Sequence, residues 1–254
     1  MKILVSNDDG INSVGLFKLV KELKKIGEVT IVAPSTEQSA VGHSITMQIP
    51  LRVKKHFVNE KFFGYAVDGT PADCIKMGIK NIMKEKPDIV ISGINNGSNA
   101  AINVIYSGTV SAAREAAIMD VPSFAISVNS HTPKQFDYAA KFAAKMAQLV
   151  CKEKLKKGTL LNINVPDLPE EEIKGVRLTK QGNSRWNDFY EERIDPYGVE
   201  YYWLTGEMDF KDEELDRDAY ALLNGYVSVT PIHFDLTDYA MFDKMRNWSL
   251  DSLK

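Results

Sequence analysis

Short apolar runs alternate with amphipathic stretches from the first residue to about residue 166. Residues 1–5 hold Ile3, Leu4 and Val5 in succession and predict a buried strand. Residues 16–26 place Leu16, Leu19, Val20, Leu23 and Ile26 on one face with lysines on the other, the spacing of an amphipathic helix. Residues 28–33 read as the next strand, ended by Pro34. Strand, helix and strand in this order form a βαβ unit, which implies a parallel pair. Further strands are expected at 61–67, 88–92, 123–128 and 159–166, and helices at 70–83, 109–119 and 136–155. Thr70, Pro71 and Asp73 form the start of the first of these helices, with Thr70 as cap, Pro71 at the first helical position and Asp73 at the capping-box position. The run at 88–92 has no polar face and suits the centre of a parallel sheet. The alternation predicts a doubly wound, mostly parallel, Rossmann-like α/β core over residues 1–170.

Two stretches break the pattern. Residues 35–44 read as a polar loop, and 45–57 as one or two edge strands, because Pro50 is unsuited to a central one. Beyond Pro169 the chain turns aromatic and charged without helical periodicity. Residues 201–204 look like one arm of a hairpin, 215–225 like a short helix ended by Gly225, 226–232 like a strand returning to the core, and 241–248 like a terminal helix. Residues 171–254 are therefore expected to form a β-rich extension, with an arm somewhere within 185–210 that would reach a partner subunit. Trp186, Phe189, Tyr190, Tyr201, Tyr202 and Trp203 are more aromatic surface than a monomer readily leaves in water, so packing onto the core and a subunit interface compete as explanations.

Composition narrows the class. With 44% hydrophobic and 26% charged residues, the 254-residue chain is an ordinary globular one. A net charge of −3 argues against binding to a nucleic-acid polymer. No apolar run reaches membrane-spanning length, and the chain opens directly on a strand, so the cytoplasm is the expected place. Cys74 and Cys151 both fall in helical patterns and predict no disulfide framework.

The chemistry begins where the first strand ends, at Ser6-Asn7-Asp8-Asp9-Gly10. Asn, Asp and Gly are turn formers, and Asp8 or Asp9 could cap the next helix. Two adjacent carboxylates repel, however, and a hard divalent cation would offset that repulsion. In a parallel sheet this loop shares its edge with residues 34–44 and with Gly93 to Asn99, which offer neutral oxygens and amides. Ser107, Gly108 and Thr109 precede a helix, where a phosphate can bind or a hydroxyl can cap. Arg114 could equally form a helix–sheet salt bridge or meet a ligand. His43, His56, His131 and His233 are scattered, which argues against zinc. The GxGxxG, GxxxxGK[ST] and GxSxG motifs are all absent.

The blocks SNDDG at 6–10, APSTEQSAVGHS at 33–44, VDGTPADC at 67–74, SGINNGSN at 92–99, YSGTVSAAREA at 106–116 and LNINVP at 161–166 stand in order on this one topology. With them the chain closely resembles the SurE family, stationary-phase survival proteins that act as metal-dependent nucleotidases. The match is dense over the first 166 residues and looser beyond. The resemblance implies one divalent ion per subunit, Mg²⁺ or Mn²⁺, with Asp8, Asp9, Ser39 and Asn95 as ligands; spacing alone does not choose Ser39 over Ser35 or Ser44. It implies substrate and phosphate contacts from Asn95, Asn96, Ser107, Gly108 and Thr109, with Asp8, Asp9 and Asn96 as the catalytic set. The implied reaction splits nucleoside 5′- and 3′-monophosphates into nucleoside and phosphate, and in some members short polyphosphate. The implied assembly is a homodimer, often a tetramer, through exchanged C-terminal arms. Whether Asp8 or Asp9 takes the proton of an attacking water, or whether one aspartate reacts covalently, stays open at this stage. A nucleosidase and a non-catalytic nucleotide-binding regulator are the alternatives from other classes.

Overall fold

The computed structural model describes residues 1–253. Its centre is a sheet of nine strands: β1 (Lys2–Ser6), β2 (Glu28–Pro34), β3 (Val53–Val58), β4 (Lys61–Val67), β5 (Ile89–Asn96), β6 (Ser123–Val128), β7 (Thr159–Val165), β8 (Val176–Leu178) and β11 (Val227–His233). Their order is β3-β4-β2-β1-β5-β6-β7-β11-β8. The six strands from β4 to β7 run parallel. At one edge β3 is antiparallel to β4; at the other, β11 is antiparallel to β7 and β8 parallel to β11. The expected α/β architecture is thus present, with mixed edges on a parallel centre.

Alternation of side chains divides the core between the two sheet faces. Ile3, Val5, Ile31, Ile89 and Ile91 pack against helices α1 (Val14–Leu23) and α5 (Phe136–Glu153). Leu4, Val32 and Val90 pack on the opposite side with α2 (Pro71–Met77) and α4 (Gly108–Ile118), a short helix α3 (Asn103–Tyr106) standing just before α4. The helix expected from residue 16 begins earlier, at Val14, because Ser13 caps it by accepting from the Leu16 N–H at 3.3 Å. Neither Asp8 nor Asp9 is therefore its cap. The capping box of Thr70 and Asp73 forms as expected, but α2 passes into one π-helical stretch at Gly78–Ile82 instead of staying α-helical to residue 83.

Strand β5 runs to Asn96, four residues past the expected end at 92, and carries part of the polar loop with it. Of the segment 45–57 only β3 is a strand. In the second half, β9 (Arg185–Ile194) pairs with β10 (Glu200–Asp209) over ten residues each in a separate two-stranded sheet. The hairpin thus falls within the interval 185–210 expected to hold an arm and extends well beyond 201–204, and its first strand is a stretch without periodicity. Helix α6 (Asp218–Leu223) precedes β11, and α7 (Tyr239–Met245) ends three residues short of the expected helix end.

Gly15 lets α1 lie directly on the carboxyl end of β5. A Cβ there would stand 2.1 Å from the Ile94 carbonyl oxygen, next to the polar loop. Gly15→Ala is expected to lower stability by about 1–3 kcal/mol, as overpacking does. Urea denaturation measures this, and an unchanged midpoint would show that α1 is free to retreat.

Candidate active site

At the end of β1 the turn is organised by Asn7, not by the aspartates. Its Nδ2 donates to the Gly10 carbonyl at 2.9 Å and to Ser13 Oγ at 2.7 Å, joining the turn to the α1 cap. Asp8 and Asp9 are left for other partners. Asp8 is 5% exposed, and the Thr109 hydroxyl donates to its Oδ1. Gly108 makes this approach possible, since a Cβ there would come within 2.8 Å of Asp8 Cβ and 3.0 Å of Asp8 Oδ2. Asp9 Oδ2 accepts one long bond, 3.4 Å, from the Asn96 N–H.

Among the described residues these carboxyls lack a positive partner. Burial pushes Asp8 above the ordinary carboxylate range, against the pull of its hydrogen bonds from Thr109. Burial, then the neighbouring Asp8 charge, raises Asp9 to about 7. The charges acting on the pair are Asp8 on Asp9 and Glu37 on both, all negative. A dication is the group that such an arrangement suits. The remaining oxygens agree with a hard ion. Asn95 uses its Nδ2 to donate to the Gly97 carbonyl at 2.7 Å, which leaves Oδ1 as its acceptor. Ser39 is exposed on the facing loop, its hydroxyl donating to Glu37. Among the described residues no group of three or more His, Cys, Asp or Glu side chains gathers as a metal cage. Two carboxylates helped by Asn and Ser fit Mg²⁺ or Mn²⁺, which keep water and phosphate oxygens in their shell, better than zinc.

Ser107 caps α4, accepting from the Val110 N–H at 3.0 Å, and its own proton remains available to a ligand. Asp8, Ser39, Asn95, Asn96 and Ser107 all line one cleft of about 520 Å³. Gly108 and Thr109 touch it through Asp8, and Asp9 through Asn96. All eight residues singled out from the sequence therefore meet at one sheet edge. The sequence reading missed the rest of the lining. Trp186, Met208 and Phe210 from the root of the hairpin, Leu222 and Leu223 from α6, and Tyr106 add an apolar, aromatic wall. Trp186 Nε1 donates to Asn103 Oδ1 at 2.7 Å, and Asp218 accepts from the N–H groups of Ala101 at 3.0 Å and Gly182 at 2.8 Å, tying this wall to the loop after β5. Aromatic content was the available signal, but no periodicity in it pointed to the cleft.

The loop carrying Ser39 is held from below. The Gln38 N–H donates to the Asp8 carbonyl at 2.8 Å, and the Gly42 N–H to the Tyr106 carbonyl at 3.0 Å. His43 Nε2 lies 2.8 Å from Glu115 Oε2, and Lys76 Nζ lies 2.5 Å from Glu115 Oε1. Burial alone would raise the Glu115 carboxyl, but the bonds from His43 and Lys76 outweigh it and hold it below the ordinary range. Arg114 forms no helix–sheet salt bridge: burial lowers its pKa, no carboxylate acts on it, and its Nε is buried without a hydrogen-bond partner among the described residues.

A lowered Glu115 pKa stabilises the fold above the pKa of the unfolded chain, and that contribution disappears as pH falls through the folded value. Glu115→Gln should therefore cost about 1.5–3 kcal/mol at neutral pH, the range for hydrogen bonds to a charged group. The gap to wild type should close below about pH 4, under the ordinary glutamate value. Thermal unfolding at a series of pH values checks this; a gap independent of pH would show that the charge is immaterial.

Comparison with known proteins follows the same geometry. A family model described as Survival protein SurE matches residues 3–188. A protein named 5′-nucleotidase SurE from Syntrophobacter fumaroxidans is 49% identical over 250 residues, covering 98% of this chain and 100% of its own. Another of that name, from Alkaliphilus metalliredigens, is 45% identical over 253 residues, covering 99% and 100%. The crystal structure of the SurE protein from Aquifex aeolicus superposes with a TM-score of 0.84 at 41% identity, covering 97% of this chain and 98% of that one. With the family model spanning most of its length and relatives this similar from end to end, the chain belongs to the SurE family.

Proposed function

We propose that the protein is a phosphomonoesterase that hydrolyses nucleoside monophosphates, with one Mg²⁺ or Mn²⁺ per subunit held by Asp8, Asp9, Ser39 and Asn95. The observation that carries this is an uncompensated carboxylate pair, Asp8 buried and Asp9 half-buried, beside a cleft that also has an aromatic wall. The pair suits a metal and a phosphate; Trp186, Phe210 and Tyr106 suit a nucleobase. The activity named for the relatives supports the same reading. A bound divalent ion would neutralise a phosphate oxygen and acidify a water. The chain supplies the rest. The Asn96 side-chain amide, the Ser107 hydroxyl and the Gly108 N–H at the start of α4 are the donors left to face the developing charge, while Thr109 serves by holding Asp8. Asp8 already accepts from Thr109, whereas Asp9 carries a single long bond, so Asp9 is the carboxylate that takes the proton of the attacking water. The water oxygen stays on phosphorus as inorganic phosphate while the P–O ester bond breaks, and the proton taken up by Asp9 passes to the leaving oxygen, so that the nucleoside departs as an alcohol.

The proposal extends to 3′-monophosphates and short polyphosphate, for which the carboxylate and asparagine groups alone would serve. It places the protein in the cytoplasm, in keeping with two free cysteines; no described helix is long and apolar enough to cross a membrane. It also includes a homo-oligomer, a dimer or a tetramer, built through the extension after residue 170. Among the described residues the strands of the hairpin β9–β10 pair only with each other, and Phe189 is left 59%, Tyr190 69%, Tyr202 54% and Trp203 58% exposed. A second copy of the chain is the partner proposed to cover them.

Two experiments test these points. Phosphate release from 5′-AMP, 3′-AMP and tripolyphosphate, assayed with Mg²⁺, Mn²⁺ and EDTA, should be abolished by EDTA. Asp8→Asn and Asp9→Asn should each lower kcat at least about 100-fold, at the upper end for loss of a metal-shell or proton-transfer group, while the fold survives. Full turnover in EDTA would remove the metal, and free base as product would show a nucleosidase. Separately, sedimentation equilibrium at micromolar concentration should show a species of at least twice 28.4 kDa. Tyr202→Lys with Trp203→Lys should dissociate it; a wild-type monomer would refute the assembly.

A further inference from the structure

The motif LNINVP at 161–166 places two asparagines, Asn162 and Asn164, in the middle of β7, between β6 and β11. Both are fully buried, and their neighbours Leu160, Ile163 and Val165 are apolar, as a central strand requires. Two residues apart on a strand, they share one face. There they meet a single residue of the loop after β5. Asn164 Oδ1 accepts from the Asn99 N–H at 2.7 Å, and Asn162 Nδ2 donates to the Asn99 carbonyl at 2.7 Å. The Asn99 side chain in turn donates to Ser127 Oγ at 2.8 Å. One backbone residue is thus gripped on both its donor and its acceptor by side chains of a neighbouring strand.

The grip carries a penalty elsewhere. Asn162 Oδ1 and Asn164 Nδ2 are buried without a hydrogen-bond partner among the described residues. Apolar side chains at the two positions would avoid that penalty, so packing alone does not account for them. What the grip controls is close by. From Asn99 the chain runs back two residues to Gly97, whose N–H donates to the Val128 carbonyl at 2.9 Å and whose own carbonyl holds the Asn95 side-chain amide. Asn95 and Asn96 therefore stand at the end of a connected chain of contacts that starts on β7.

We infer that Asn162 and Asn164 are positioning residues for the active site: by clamping the Asn99 backbone they fix where Asn95 and Asn96 present their oxygens and amides. Neither touches the cleft, and their role is exerted through the loop. The inference rests on the metal-dependent phosphomonoesterase reading for its kinetic consequence, but not for the clamp itself.

The test uses Asn162→Leu, Asn164→Leu and Asn164→Asp, with folding checked by circular dichroism. Three readouts are taken: amide exchange of the segment 95–103, Mn²⁺ affinity by calorimetry, and kcat and KM with 5′-AMP. Both leucine variants should lose exchange protection at 97–99 while β1 and β6 keep theirs. Their Mn²⁺ affinity and kcat should fall about tenfold, as for loss of partners behind a ligand. Asn164→Asp keeps an acceptor oxygen for the Asn99 N–H in either protonation state and should stay within about twofold of wild type. Folded leucine variants with wild-type affinity and kcat would overturn the role, as would an aspartate variant as impaired as the leucine one. If leucine prevents folding, that comparison of Asn164→Asp with wild type decides alone, and impairment of the folded protein overturns the role. If the wild type binds Mn²⁺ without releasing phosphate, the nucleotidase reading fails, and the clamp is judged by exchange and calorimetry. If it binds no Mn²⁺, exchange alone decides.

Discussion

Two carboxylates stand side by side at the end of a buried strand, and the charges around them are negative. That repulsion is the constraint to which the rest of the cleft responds. It would be relieved cheaply by a lysine or an arginine, and none is supplied. Instead the surrounding chain presents oxygens and amides: Thr109 donates to Asp8, Asn96 to Asp9, and Asn95 keeps its side-chain oxygen free. A neighbour that balanced the charge would have closed the site. Leaving the charge unbalanced suits the divalent ion proposed above, at the expense of stability in its absence.

Such a site needs close approach, and small residues provide it in two directions. Gly108 brings the start of α4 against Asp8, and Gly15 brings α1 against Ile94, the residue before Asn95. The loop with Ser39 also lies against glycines, since a Cβ at Gly10 would stand 3.2 Å from the Thr36 carbonyl carbon and one at Gly108 3.2 Å from the Gln38 carbonyl oxygen, and it is tied in addition by the bond of His43 to the buried Glu115. Different devices thus act on β1, β5 and the loop after β2, and together they set one edge of the sheet.

Most of the parallel core was legible in the sequence because its signals are local. β4 and β6 appear with the expected bounds, since an apolar run between turn formers has one reading. The loops that carry Asp8, Asp9, Ser39, Asn95 and Asn96 were legible for a different reason, while the choice of Ser39 within its loop rests on the family resemblance alone. Parallel topology sends the ends of β1, β2 and β5 to the same edge, so polar loops there converge whatever their exact conformation. What was not legible depends on distant partners. Nothing near Asn7 shows that it, and not Asp8, organises the turn. Nothing in the run 185–194 announces a strand, because every residue of it is exposed and no alternation is imposed by a core. The aromatic wall of the cleft is hidden for the same reason.

These distant contacts change where the site is to be thought of as built. The groups proposed to meet metal and phosphate all lie before residue 110, yet the loop after β5 is fixed largely from behind them. Asn162 and Asn164 grip Asn99, Asp218 holds Ala101, the Gln181 side chain donates to the Ala101 carbonyl at 2.9 Å, and Trp186 reaches Asn103. Three of these five come from the segment between β8 and α6 or from α6 itself. That segment also launches the exposed hairpin. The residues at the root of the hairpin therefore bear on the same loop whose Gly97 carbonyl holds the Asn95 side chain. The second half of the chain is physically part of the site even though it supplies none of the carboxylates.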